Sequence, residues 1–182
     1  MRRQGTVTAA GALGLAAALC AAATLAADPA PGSLEGVAGR VRLPLAIEAQ
    51  SAAPEAVRGG QRSVHALSLS RNGKTEQAML SQSCVTAPPD LRTEKNLEVL
   101  MQGLAVMQRQ SLGKVNGWVT LGERRGYRMD SVRDGSQAAT MWMVPMGEQM
   151  VVLRFERPTD FALDDETINA IEKMEFRCGT TP

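Results

Sequence analysis

The chain has 182 residues, with 20 basic and 19 acidic side chains, one histidine and three cysteines. Its net charge of +1 gives no support for nucleic acid or an anionic membrane as the main partner. So few histidines and cysteines also provide no recognisable zinc motif, because zinc needs three or four clustered ligands.

The first 27 residues are predicted to be a cleaved Sec signal peptide. Arg2 and Arg3 form the charged start, an uncharged stretch rich in Ala and Leu covers 7–25, and small residues precede Asp28. A membrane anchor is the alternative, but no basic stop-transfer flank follows. Cleavage would leave 155 of the 182 residues, about one domain, with 18 basic and 19 acidic side chains and a net charge of −1. We therefore expect a periplasmic protein that does not insert into the membrane after cleavage.

The mature chain would keep Cys84 and Cys178, since Cys20 leaves with the signal peptide. An even pair of cysteines in an exported protein predicts a disulfide bond. Closing a loop of roughly 95 residues would stabilise the fold by about 4 kcal/mol on the chain-entropy model. Two buried free thiols are the alternative.

Residues 28–39 are rich in Pro, Gly and Ser and are predicted to be a flexible linker before a single domain at 40–182. Apolar and polar residues alternate over 41–48, which predicts a half-buried strand. Pro44 would place that strand at a sheet edge, because proline cannot donate a backbone hydrogen bond. Residues 51–61 are predicted to be a loop.

Asn72-Gly73 is the clearest local signal, because a two-residue hairpin turn needs positive φ at both positions. Pairing across this turn sets Arg71 opposite Lys74 and His65 opposite Leu80. Cys84 has the same parity as Leu80, so it is predicted to face the core. The other residues predicted on that face are His65, Leu67, Leu69 and Ala78.

A helical period follows from Thr93 to about Ser111, and its predicted buried residues are Leu97, Leu100, Met101, Leu104 and Met107. Short strands are predicted next near 117–121, 126–132, 138–144 and 149–156, of which the last is the most apolar and is expected to be central. The acidic run Asp164-Asp165-Glu166 suits the start of a second helix. Met174, Phe176 and Cys178 then share one face, so both mature cysteines are predicted to face the core.

The segment 116–129, NGWVTLGERRGYRM, could be a phosphate-binding loop or a set of turns. A phosphate loop opens a helix, whose first N–H groups point at the anion. No helical period follows Gly117, Gly122 and Gly126. These glycines are therefore predicted to be a strand entry, a bulge and a turn.

The order of elements resembles the PsbP-like superfamily over about residues 40–178. The order is a strand, the Asn-Gly hairpin, a long amphipathic helix, the WVTLGERRGYRM meander, the apolar MVVLRF strand, a short helix with an acidic start, and IEKMEF. That superfamily includes photosystem accessory proteins, a Ran-binding transport factor and bacterial envelope proteins. The resemblance implies an α+β fold, with an antiparallel sheet flanked by two helices as an α/β/α sandwich. It also implies binding or assembly work without catalysis.

His65 is the only histidine, so a Ser/His/Asp or Cys/His catalytic system would rest wholly on it. The segment RDGSQA does not match a nucleophile elbow, which needs glycine on both sides of the serine. We therefore predict no enzyme and no catalytic residues. A small hydrolase built from scattered residues is the alternative.

The segment MWMVPMGEQM holds four methionines in ten residues. If Met146-Gly147 is the turn, Met143 lies opposite Met150 and Met141 is next on the same face. The sequence predicts no cofactor, and copper(I), which clustered thioethers could bind, is the alternative. Core packing and an adaptable partner surface are the other interpretations. Trp118, Tyr127 and Trp142 are the candidate partner contacts if they are exposed, and core residues if they are buried.

These observations predict an exported, non-catalytic binding or accessory protein of the bacterial envelope that acts on another envelope protein. One alternative is a periplasmic immunity or inhibitor protein directed against a toxin or effector. The other is a copper(I)-handling protein that uses Met141, Met143 and Met150. The sequence does not indicate the oligomeric state.

Overall fold

A computed structural model describes residues 32–44, 46–71, 73–107, 110–133 and 135–178. The predicted signal peptide at 1–27, the first residues of the predicted linker and Asn72 lie outside these ranges. Among the described residues the fold is mostly strand, with ten strands that form two sheets. The predicted α/β/α sandwich flanked by two helices is therefore wrong.

The strands are β1 Ser33–Gly36, β2 Gly39–Arg42, β3 Ala46–Ser51, β4 Glu55–Val57, β5 Gly60–Arg71, β6 Lys74–Thr86, β7 Gln110–Leu121, β8 Arg124–Arg133, β9 Gln137–Met146 and β10 Gln149–Pro158. The helices are α1 Glu94–Met107 and α2 Asp165–Glu172, and a 3-10 turn covers Pro89–Arg92. Neither helix in the described part of the chain is long and apolar enough to cross a membrane.

The main sheet is antiparallel and runs in the order β3, β5, β6, β10, β9, β8, β7, with β4 also paired to β5. β1 and β2 form a separate hairpin. The apolar strand β10 lies at the centre of the sheet, as its sequence predicted. We call the two sides of the main sheet the α1 face and the α2 face, after the helix that packs on each.

The hairpin β5–β6 has the predicted register. Arg71 pairs with Lys74 and His65 with Leu80, so the Asn72-Gly73 signal located the turn correctly. The predicted core positions Leu67, Leu69 and Leu80 are buried, and Cys84 is 7% exposed on the same side. Cys84 forms the predicted disulfide with Cys178, at a Cα–Cα distance of 5.6 Å.

The α2 face is covered by a second layer that contains the β1–β2 hairpin, α2 and the chain that leads to Cys178. Leu34 and Val41 of the hairpin are 4% and 1% exposed. Gly39 has φ +125°, and a Cβ there would lie 2.4 Å from the carbonyl oxygen of Glu175, so only glycine allows this approach. Residues 33–39, predicted to be linker, are thus part of the core layer.

The predicted edge strand at 41–48 is divided in two. β2 ends at Arg42 and β3 begins at Ala46, with Pro44 between them. Proline has no N–H with which to continue a ladder. Only β3 joins the main sheet, at the predicted edge, and the predicted loop at 51–61 contains β4. These additional strands explain why the fold has more β-structure than the resemblance implied.

The α1 face is covered by α1, which packs against β7 and β8. Thr93 caps the helix by accepting a hydrogen bond from the Asn96 N–H, and Leu97 and Met101 are fully buried. α1 ends earlier than predicted, because the chain from Gln110 onward pairs with β8. Met107 is consequently 74% exposed rather than buried.

Candidate binding groove on the α1 face

The cover over the α1 face is incomplete. On β9, Met141 lies opposite Met129 and Arg154. Ala139, two residues away on the same side, lies opposite Ser131 and Glu156. Met129 and Met141 belong to the methionine-rich core that packs under α1, whereas Ala139 does not. The apolar core therefore ends between the cross-strand row that contains Met141 and the row that contains Ala139.

A groove of about 220 Å³ lies at this boundary, lined by Arg133, Ser136, the β9 segment Gln137–Ala139, Arg154 and Glu156. The side chain of Ala139 is shorter than those of its neighbours, and this difference creates the groove. Ligand pockets for small molecules typically enclose roughly 300–1,000 Å³. The groove is smaller than that range and has room for one or two side chains of a partner.

The lining of the groove carries two guanidinium groups and one carboxylate. Arg154 and Glu156 form an ion pair, with side chains that are 20% and 26% exposed. Arg133 is exposed at the rim. A guanidinium has five N–H donors in a planar fork that matches a carboxylate, more than one ion pair uses, so this lining can accept an acidic group of a ligand.

A second group of charges lies on the α2 face and has a structural role. Glu172 of α2 accepts hydrogen bonds from the Trp142 indole N–H at 3.0 Å and from Arg128 at 3.4 Å. Arg128 also donates to Asp130 at 2.9 Å. These bonds fix the end of α2 on β8 and β9. The sequence had not indicated this role for Glu172.

Arg157 lies in the same region and donates hydrogen bonds to the Thr140 hydroxyl at 3.2 Å and to the Phe161 carbonyl at 3.0 Å. Burial lowers the pKa of Arg157, nearby Asp130 opposes that change, and Arg128 adds to it. The helix itself begins as predicted, because Asp164 accepts a hydrogen bond from the Thr167 N–H at 2.8 Å.

The three predicted partner-contact residues have different environments. Tyr127 and Trp142 are 1% and 0% exposed, so they are core residues. Trp118 on the edge strand β7 is half-buried, and the Arg125 guanidinium lies over its ring at 5.3 Å. Of the three, only Trp118 has a side chain that a partner could reach in this conformation.

Met141, Met143 and Met150 come together, as predicted, with exposures of 6%, 3% and 4%. The turn is Gly147-Glu148 rather than Met146-Gly147, so Met143 pairs with Val152 and Met150 with Pro145. The predicted face is confirmed and the predicted pairing is wrong. Met101 and Met129 join the same core cluster. Copper(I) binding by these thioethers stays a prediction.

His65 is 1% exposed, and its Nδ1 shares a hydrogen bond of 2.7 Å with the Ser51 hydroxyl. Its Nε2 has no hydrogen-bond partner among the described residues. Burial lowers the pKa of His65, because it disfavours the charged ring. In the described part of the chain, no three His, Cys, Asp or Glu side chains are grouped so that they could hold a metal ion.

The glycines of 116–129 are strand and turn residues. Gly122, with φ +59°, lies in the turn between β7 and β8, and Gly117 and Gly126 lie within these strands. The irregularity in β7 falls between Leu112 and Asn116, so the bulge predicted among the glycines is elsewhere. The segment is therefore a hairpin.

No protein family, curated protein or solved structure matches the chain. The PsbP-like resemblance therefore stays a prediction, and the sandwich that it implied differs from the observed fold. Sequence reasoning also missed the groove. Its one local signal is Ala139, a small residue in a strand whose next residues on that side are methionines.

Proposed function

We propose that the protein is an exported, non-catalytic binding protein of the bacterial envelope, and that its groove receives a short acidic segment of another envelope protein. The observation that carries this proposal is the groove itself. It has room for one or two side chains, and its lining includes Arg133 and the partly buried Arg154–Glu156 pair. A carboxylate-bearing side chain of a partner fits both the size and the charge of this lining.

Export is part of the proposal. It is supported by the leader-like sequence at 1–27 and by the Cys84–Cys178 disulfide. Disulfides form and persist in oxidising compartments such as the bacterial periplasm, and cytosolic reductants remove them. A covalent bond between β6 and the end of the described chain suits a domain that works outside the cytoplasm.

An inhibitor of a toxin or effector would use the same groove, and the identity of the bound partner separates the two roles. The experiment is site-specific photo-crosslinking in the native host. A photoreactive amino acid replaces Gln137, which lines the groove and is exposed, and a second one replaces the exposed Asn169 on α2 as a control. We expect a discrete crosslinked partner from position 137 only, identified by mass spectrometry.

The purified partner is then titrated against the protein and two charge-reversed variants. Arg133→Glu should weaken binding at least tenfold, because it places a carboxylate where the acidic segment binds. Arg124→Glu, at an exposed position at the opposite end of β8, is the matched control and should bind like the wild type. Equal crosslinking from both positions, or equal affinity for Arg133→Glu and the wild type, would contradict the proposal.

A further inference from the structure

The outward side of α1 carries exposed apolar residues from Val99 to Met107, beside the exposed polar residues Lys95, Asn96, Glu98 and Gln102. Among the described residues, three large hydrophobic side chains are exposed, and all three belong to this helix. They are Val99, Val106 and Met107, at 62%, 77% and 74% exposure. Scattered single apolar residues are common on protein surfaces, but a group on one short helix marks a contact site.

Gly103 lies within this group, near the middle of the helix. Glycine inside a helix costs roughly 1 kcal/mol relative to alanine. A Cβ placed on Gly103 would meet nothing within 4 Å, so no contact inside the described chain requires glycine there. A glycine that its own fold does not require allows another backbone to approach closely at that point.

The apolar residues are arranged symmetrically about Gly103. Val99 lies four positions before it, and Val106 and Met107 lie three and four positions after it. Such rows form the ridges and grooves through which helices pack. In an antiparallel pair crossing at Gly103, Val99 meets Met107 of the second copy, and Met107 meets Val99. A symmetric dimer requires a surface that is complementary to itself under a two-fold rotation.

We infer that two copies of this protein associate through α1, antiparallel and crossing at Gly103. The 14 residues of the helix span roughly 21 Å. Such a contact is smaller than the roughly 800 Å² per partner of a standard stable interface, so the dimer should be weak. We expect a dissociation constant in the micromolar range.

This inference does not depend on the proposed function, because the α1 surface and the groove share no residues. Sedimentation equilibrium of the native protein, from about 1 µM to 1 mM, tests self-association directly. We expect a concentration-dependent monomer–dimer equilibrium that Val106→Lys weakens at least tenfold. Asn169→Lys, an exposed position on α2, is the matched control and should dimerise like the wild type.

The antiparallel geometry is tested by mixing two cysteine variants with a short bismaleimide crosslinker. Val99 and Met107 lie about 12 Å apart along one helix. A mixture of Val99→Cys and Met107→Cys should therefore crosslink more than either variant alone. A monomer at every concentration, a dimer that Val106→Lys leaves intact, or equal crosslinking by Val99→Cys alone would overturn the inference.

Discussion

The two faces of the main sheet are packed in different ways. The core of the α2 face is built mainly from Leu, Val, Phe and Trp side chains with one buried methionine, Met174, and a hairpin, a helix and a disulfide close it. The core of the α1 face contains five methionines and is covered by one helix. β9 and β10 contribute to both, so the contrast arises from which side of one strand a residue faces.

Rigid, branched and aromatic side chains specify one arrangement, whereas unbranched methionine fills irregular gaps and adapts to changes around it. The α2 face therefore supplies most of the fixed framework. Both surfaces that we propose for binding lie on the α1 side, where the cover is partial. The division suggests that stability and recognition occupy opposite sides of one sheet.

The largest effect should come from the disulfide. Replacing both cysteines, with Cys84→Ala and Cys178→Ala, opens a loop with a sequence separation of 94 residues. On the chain-entropy model this lowers the free energy of unfolding by about 4 kcal/mol. Urea denaturation measures this global loss, and hydrogen exchange should show added local opening at the C-terminal segment and the β1–β2 hairpin, which lie next to the bond. A loss below about 1 kcal/mol, or added opening centred on α1, would contradict the contrast between the faces.

Equivalent truncations on the two faces should differ. Leu153 faces the α2 side at 1% exposure, and Met143 faces the α1 side at 3%. Leu153→Ala should cost about 4 kcal/mol, because its rigid neighbours cannot close the cavity. Met143→Ala should cost about 2 kcal/mol, since the surrounding methionines can repack. The measurement is urea unfolding of both variants, and equal costs would show that the two cores are equally rigid.

The smallest effect should be a dependence on pH that involves the α2 side alone. Burial lowers the pKa of His65 in the folded state, so below about pH 6.5 the unfolded chain binds a proton that the folded chain rejects. Stability should be complete above that pH and should fall as the pH drops through the interval down to the folded pKa.

Chemical denaturation at pH 7.5, 6.5 and 5.5 measures this dependence. His65→Gln should flatten the profile in that range, because His65 is the only histidine in the sequence. A wild-type midpoint that does not change between pH 7.5 and 5.5 would show that the ring is protonated as easily in the fold as in the unfolded chain.

Local chemistry in the sequence predicted several elements correctly. The Asn72-Gly73 turn set the register of β5–β6 and, through parity, the orientation of Cys84. The run of apolar residues in β10 predicted the centre of the sheet, and Asp164 predicted the start of α2. In each case residues that are adjacent in the chain determine the structure.

Features that depend on distant contacts were not predictable. The β1–β2 hairpin has the composition of a linker, and only its packing against α2 and the C-terminal segment makes it a structural layer. α1 ends before its apolar period does, because pairing between β7 and β8 takes over from Gln110. α1 packs against β7 and β8, and the groove lies on the same side of the sheet where the helix does not cover it. No local sequence pattern encodes how far a helix covers a sheet.

The pairing between β6 and β10 limits the order in which the main sheet can assemble. A chain is synthesised from its N-terminus, so β6 emerges long before β10, the strand that pairs with it along the middle of the sheet. Until then, the free side of β6 is a long unpaired edge, of the kind on which other chains aggregate. Cys84 lies on this strand, and its partner Cys178 is synthesised 94 residues later. Before then, an oxidant cannot form the native bond. Covalent closure therefore cannot precede the synthesis of Cys178, which follows all ten described strands in the sequence.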